Sequence, residues 1–330
     1  MPSRSPSRDR GPGQGPQVGP KPPTPVPPRP GAKTGAHPAP RRASARQSIV
    51  RARQRRLYLA GGLVTVIVVA AAVLVAVSFI SNGKASSPTR SAVGQFVLPP
   101  GVQSAVEAVP TAKLVAAALS KNNYAAPLQA LPAKNEILTS AGKPEIVYIG
   151  ADSCPFCAGE RWALVMALSK FGTFSKLMGT TSSAVDTNPS TPTFSFYGSN
   201  YSSQHISFVP VETTTNRYDP SIGSYQPLQQ PSAFERSLYS KWDRPPYTSQ
   251  AGGIPFVYLA GRYLLTGGQY DASKIAGWQM LRAADYITAG NNPTSLGAEA
   301  AAGHLIGEIC SLTHDQPARV CSGVPASLKG

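Results

Sequence analysis

Four cysteines, Cys154, Cys157, Cys310 and Cys321, are the residues of this chain best suited to chemistry. The first two stand in Cys154-Pro155-Phe156-Cys157, directly after the apolar run Ile146, Val147, Tyr148, Ile149 and Gly150, and before a helical-looking segment over 160–171. Two thiols separated by two residues at a strand-to-helix junction can close a small disulfide. The first also sits where free backbone N–H groups and the helix dipole stabilise a thiolate. That points to thiol–disulfide exchange. A fixed structural bridge and half of a zinc or copper site are the competing readings. The metal reading is the poorer one, because zinc asks for four ligands, ten residues lie between Cys310 and Cys321, and His205, His304 and His314 follow no ligand spacing. No metal site and no cofactor are therefore assigned.

Cys310 and Cys321 read as a structural disulfide near the C-terminus, with a second redox pair as the alternative. Asp152 and Glu160 flank the dithiol and could tune it or deprotonate Cys157, or be solvated charges. Trp162 reads as core, and His314 as a loop histidine. No Ser-His-Asp order, phosphate loop or paired-carboxylate arrangement stands out.

The elements that would position the dithiol follow along the chain. A helical lead-in over 101–142 includes Leu114, Val115, Ala118 and Leu119 at helical spacing. The helix after the dithiol is apolar nearly all round over 162–168 and should be buried. Alternating runs over 193–197 and 205–211 predict strands. Residues 212–250 form a polar insertion with one helix near 232–241, either a lid or a surface excursion. Gly252-Gly253-Ile254-Pro255 then leads into a hairpin, Phe256-Val257-Tyr258-Leu259 and Arg262-Tyr263-Leu264-Leu265-Thr266. Two helices follow, one capped by Asp271 and a final one over about 295–311.

The N-terminal part differs in kind. Residues 1–56 carry 13 of the 33 prolines and 13 of the 31 Lys and Arg, with Asp9 their only acid. They hold most of the +15 net charge, so the basic balance gives no ground for nucleic-acid binding by the folded part. Such a tail cannot bury enough apolar surface to fold and is expected to be disordered. Residues 57–80 are uncharged and dominated by Val, Ala, Leu and Ile, long enough as a helix to cross a bilayer. Arg51, Arg53, Arg55 and Arg56 precede them, which by the positive-inside rule predicts a cytoplasmic tail and an extracytoplasmic C-terminal part. The expected organisation is a tail over 1–56, a transmembrane helix over 57–80, a linker over 81–100 and a domain over 101–330. All four cysteines lie in that last part, as an oxidising compartment would favour.

The order strand, CxxC, helix, strands, Ile-Pro, hairpin, helix resembles that of thioredoxin-like oxidoreductases. The stretch from Tyr148 through Cys154-Pro155-Phe156-Cys157 to Trp162 is closer still to domain-of-unknown-function family 929 (DUF929), as are Thr193-Phe194-Ser195-Phe196-Tyr197-Gly198 and Phe208-Val209-Pro210-Val211-Glu212. The resemblance covers roughly residues 100–325. It implies an α/β thioredoxin-like domain in which Cys154 attacks, Cys157 resolves the mixed disulfide, and Pro255, in a cis bond, shapes the substrate groove beside Ile254. The expected activity is a membrane-anchored thiol–disulfide oxidoreductase acting on exported cysteine-containing proteins, with a quinone-linked membrane partner if it works as an oxidant. A tethered binding protein and a copper metallochaperone are the alternatives.

Overall fold

The computed structural model describes residues 93–132 and 136–330. Its organising element is β3 (Lys143–Gly150), whose run of Ile, Val, Tyr and Ile is buried on both sides. Successive side chains of a strand point to opposite faces, so a continuous apolar run belongs to a strand covered on both. Ile146 and Tyr148 accordingly enter the larger of two cores, and Val147 and Ile149 the smaller.

On one side β3 pairs in parallel with β8 (Ser207–Glu212), Glu145 opposite Ser207 through Gly150 opposite Glu212. It also pairs antiparallel with β11 (Phe256–Leu259), which forms a hairpin with β12 (Tyr263–Thr266). Short strands β1 (Gln129–Ala130) and β2 (Thr139–Ser140) complete this sheet on β12 and β3. The parallel β3–β8 pair needs a long crossover. It is supplied by α3 (Pro155–Leu168) and four short strands: β4 (Gly172–Ser175), β5 (Met178–Thr181), β6 (Pro192–Ser195) and β7 (Asn200–Ser203). These make two small antiparallel pairs, β4 with β7 and β5 with β6.

One sheet face carries the helical layer: α1 (Val102–Glu107), α2 (Thr111–Ala118), α3, α5 (Met280–Thr288) and α6 (Pro293–Leu312). Close approach of α2 and α6 depends on Gly303, where an added Cβ would lie 2.3 Å from the Leu114 carbonyl oxygen. The opposite face is covered by α4 (Ala233–Trp242), which inserts Leu238 and Trp242 among Val147, Ile149, Phe256 and Tyr258. A short α7 (Ala318–Cys321) closes the chain's C-terminal region.

Segment 212–250 holds the helix expected near 232–241, as α4, and before it the hairpin of β9 (Thr214–Asp219) with β10 (Ser224–Pro227). Ser232 caps α4 in a capping box with Glu235. The helix expected from Asp271 is instead a 3₁₀ turn at Ser273–Ile275 and a separate α5, with Gly277 at φ +73° between them. The C-terminal part of the expected 81–100 linker is packed against β5: Phe96 is buried and bridges Gly179.

The expected membrane architecture requires correction. Among the described residues no helix is long and apolar enough to cross a membrane. The longest, α6, has 20 residues but carries Glu299, His304 and Glu308 and packs within the helical layer. Residues 1–56 and 57–80, to which the tail and the span were assigned, lie outside the described residues. What the fold supports is a mixed α/β architecture, without the single-pass membrane placement and the extracytoplasmic localisation that rested on it.

Candidate dithiol site

Helix α3 begins at the dithiol because Pro155 occupies its first turn, where its missing N–H costs nothing, and Cys154 serves as N-cap. The Cys157 N–H donates to Cys154 Sγ at 3.2 Å. The Cys154 thiol in turn lies 3.7 Å from the Ile254 carbonyl, to which it donates. Ile254-Pro255 is a cis peptide bond. Cys154 and Cys157 are both free thiols here.

The two sulfurs differ in access and in acidity. Cys154 is 8 % exposed and Cys157 is fully buried. The Cys157 thiol, donating to Cys154, holds the Cys154 thiol below the usual range; burial opposes this, while the Cys157 N–H and the Arg161 guanidinium assist. Burial pushes Cys157 well above the usual range, and its bond to Cys154 and the Cys154 charge add to that. The pair is thus an accessible, acidic thiol backed by a buried, weakly acidic one.

Cys154 opens into a groove of ≈ 580 Å³. Phe156, 52 % exposed, stands on one side with Gly267 and Gly268, and Gly252, Gly253 and Ile254 on another. Thr213, Thr214 and Tyr225 bring the β9–β10 hairpin to it, with the Tyr225 hydroxyl donating to Asp186 Oδ2 at 3.1 Å. The hairpin is tied to the dithiol loop: the Asp152 N–H donates to the Thr214 carbonyl, and the Ser153 and Thr214 hydroxyls bond at 2.8 Å.

Behind the dithiol lies a buried charge cluster whose centre is Arg161, not one of the residues singled out from the sequence. Its Nε and Nη2 donate to Glu212 at 2.9 and 2.6 Å, and Nη2 also to the Ala151 carbonyl at 2.7 Å. Asp152 Oδ1 lies 3.5 Å from Arg161 Nη2, while Oδ2 accepts from the Ser195 hydroxyl at 3.0 Å. Asp152 is fully buried, and burial together with the Glu212 charge raises it to about 7, against the pull of Arg161 and Ser195. The signal for this cluster was an arginine in a helix that is buried nearly all round. A buried guanidinium demands a carboxylate, and Glu212 ends the apolar strand β8.

Glu160 is also fully buried, so neither acid is a solvated charge. Its Oε2 accepts the Gln269 N–H at 3.2 Å, and burial raises it to about 8. Its hydrogen bond leads towards Gln269, and the charges acting on Cys157 are those of Cys154, Arg161 and Glu212. Cys310 and Cys321 form a disulfide linking α6 to α7, with both residues fully buried. Neither sulfur faces an incoming thiolate, which disfavours the relay role. Among the described residues no group of three or more His, Cys, Asp or Glu side chains comes together to hold a metal.

No curated protein and no solved structure matches the chain, so the thioredoxin-like fold implied by the sequence resemblance is not confirmed by a structural neighbour. The match to a known family is also shorter than the expected 100–325, since it stops before the Ile254-Pro255 loop and the Cys310–Cys321 disulfide. The family whose model the chain matches is described as Domain of unknown function (DUF929), over residues 129–232, a span that contains the Cys154–Cys157 pair.

Proposed function

We propose that the chain is a thiol–disulfide oxidoreductase acting on cysteine-containing proteins. The observation that carries this reading is the asymmetry of the pair: Cys154 open to a groove and acidified, Cys157 sealed beneath it. The thiolate is the nucleophile of disulfide exchange, so this asymmetry supports attack by Cys154 and resolution by Cys157.

In the reducing direction the Cys154 thiolate attacks one sulfur of a substrate disulfide. An S–S bond forms between Cys154 and substrate, the substrate S–S bond breaks, and one substrate thiolate leaves. Cys157 then loses its proton and attacks Cys154 Sγ, releasing the second substrate thiolate. Two electrons pass to the substrate, and Cys154–Cys157 becomes the disulfide. Asp152, raised to about 7 by burial and the Glu212 charge and 3.5 Å from Arg161, is the carboxylate we assign to take the Cys157 proton. Glu160, directed at Gln269, is left outside this step. The same steps in reverse oxidise a substrate dithiol. The groove beside Ile254, lined by Gly252, Gly253, Gly267 and Gly268, has room for an extended substrate segment.

The test is Cys157→Ser in the full chain, offered a protein with an accessible disulfide. A reductant-sensitive mixed disulfide should accumulate through Cys154 and be absent from Cys154→Ser. A Cys154 that alkylates readily but traps no substrate would sink the proposal.

A further inference from the structure

The Ile254 carbonyl that meets Cys154 sits at the end of a weak piece of backbone. Gly252 and Gly253 precede it, and Gly252 adopts φ +93°, a conformation that suits glycine. Two consecutive glycines lose more conformational freedom on ordering than other residues, so something outside the loop must hold them.

That hold comes from α4. Asp243, at the helix C-terminus, is 2 % exposed, and its Oδ2 accepts the N–H groups of both Gly252 and Gly253, the latter at 2.8 Å. Its Oδ1 lies 3.2 Å from the point a Gly253 Cβ would occupy, so the carboxylate closes directly over the loop. The Tyr239 hydroxyl, one turn earlier on α4, donates to the Gly253 carbonyl at 3.3 Å. Both backbone groups of Gly253 are therefore held from one helix. That helix is itself fixed: Trp242 packs edge-on to Tyr247 at 4.7 Å, and Tyr239 edge-on to Phe256 at 5.1 Å.

We propose that Asp243 is a positioning residue for thiol exchange, setting the Ile254 carbonyl opposite Cys154 by clamping the Gly252-Gly253 amides. This rests on the exchange reading above. A hydrogen bond from the Cys154 thiol to Ile254 favours the protonated sulfur, so a loop that drifts away would release the thiolate while spoiling the alignment of an incoming disulfide.

Full-length wild type, Asp243→Ala and Asp243→Asn are compared in two assays. One is iodoacetamide alkylation of Cys154 against pH, read by mass spectrometry. The other is exchange with a peptide disulfide. Asp243→Ala should lower the alkylation midpoint by roughly half a pH unit. It should also slow peptide exchange about 10- to 100-fold, relative to alkylation at the same pH. Asp243→Asn, which keeps an acceptor oxygen for both amides, should restore both. An Asp243→Ala protein that merely melts earlier, with its alkylation midpoint and exchange-to-alkylation ratio unchanged, overturns the proposal. Wild type that never exchanges refutes the oxidoreductase reading instead. The alkylation midpoint still decides the clamp.

Discussion

Replacing Glu160 by Gln should stabilise the protein, and by an amount that grows with pH. Glu160 is fully buried, keeps one hydrogen bond, from the Gln269 N–H, and has Oε1 unpartnered. Burial raises its carboxyl from 4.5 to about 8. A raised carboxyl pKa means that the folded state holds the proton more tightly than the unfolded chain. Stability is therefore full below the unfolded value and is lost as pH rises through the folded one. At about 1.4 kcal/mol per unit, a shift of this size sets a ceiling of about 5 kcal/mol; relaxation and water entry reduce the expected effect to about 2–4 kcal/mol. Glutamine keeps the acceptor for Gln269 N–H and carries no charge at any pH. Urea denaturation would be followed from about pH 5 to about pH 9, with Cys154 and Cys157 in the same redox state in both proteins. The two proteins should be within about 1 kcal/mol at the acid end, and the variant should lead by about 2–4 kcal/mol at the alkaline end. A difference that stays constant across this range, or that favours wild type as pH rises, would refute the assignment of a buried, proton-binding Glu160.

Three further outcomes are expected. Glu212→Gln strips the buried Arg161 of its bidentate partner and should cost about 3–5 kcal/mol in denaturant unfolding; a loss below 1 kcal/mol, on the order of a surface pair, would show that the cluster is hydrated. Gly303→Ala forces a methyl against the Leu114 carbonyl and should cost about 1–3 kcal/mol, whereas Gly323→Ala, with nothing within 4 Å of the added Cβ, should be close to neutral. Cys310→Ser with Cys321→Ser opens a loop of sequence separation 11 and should cost about 3 kcal/mol on the chain-entropy model. Trapping through Cys154 should persist in that protein, and its loss would revive the relay role for the second pair.

The dithiol could be read from sequence because its ingredients are local. A buried strand, a capping cysteine and a proline in the first helical turn announce themselves within fifteen residues. The helix expected near 232–241 is α4, and the structure adds its capping box of Ser232 with Glu235. Arg161, Glu212 and Asp152 form one cluster through contacts spanning up to 51 positions, and nothing local in the chain pairs them. For Glu160 and Asp152 the sequence left a tuning role and a solvated charge both open, because charge is the usual mark of exposure; only the packed fold shows both fully buried. Strands β4, β5, β7, β9 and β10 are short and mostly polar, and their pairing, more than their composition, makes them strands. The membrane expectation rested on the hydropathy of 57–80, the arginines before it and the placement of the cysteines, and among the described residues no helix is long and apolar enough to carry it.

The segment between β8 and β11 lines the groove with Thr213, Thr214 and Tyr225 of its hairpin region, and through Asp243 on its helix it holds the Gly252-Gly253 loop on the groove's other side. If the proposed exchange and the Asp243 clamp both hold, partner choice and sulfur reactivity are linked in inheritance, and an insertion, deletion or graft in this one stretch would shift both traits together.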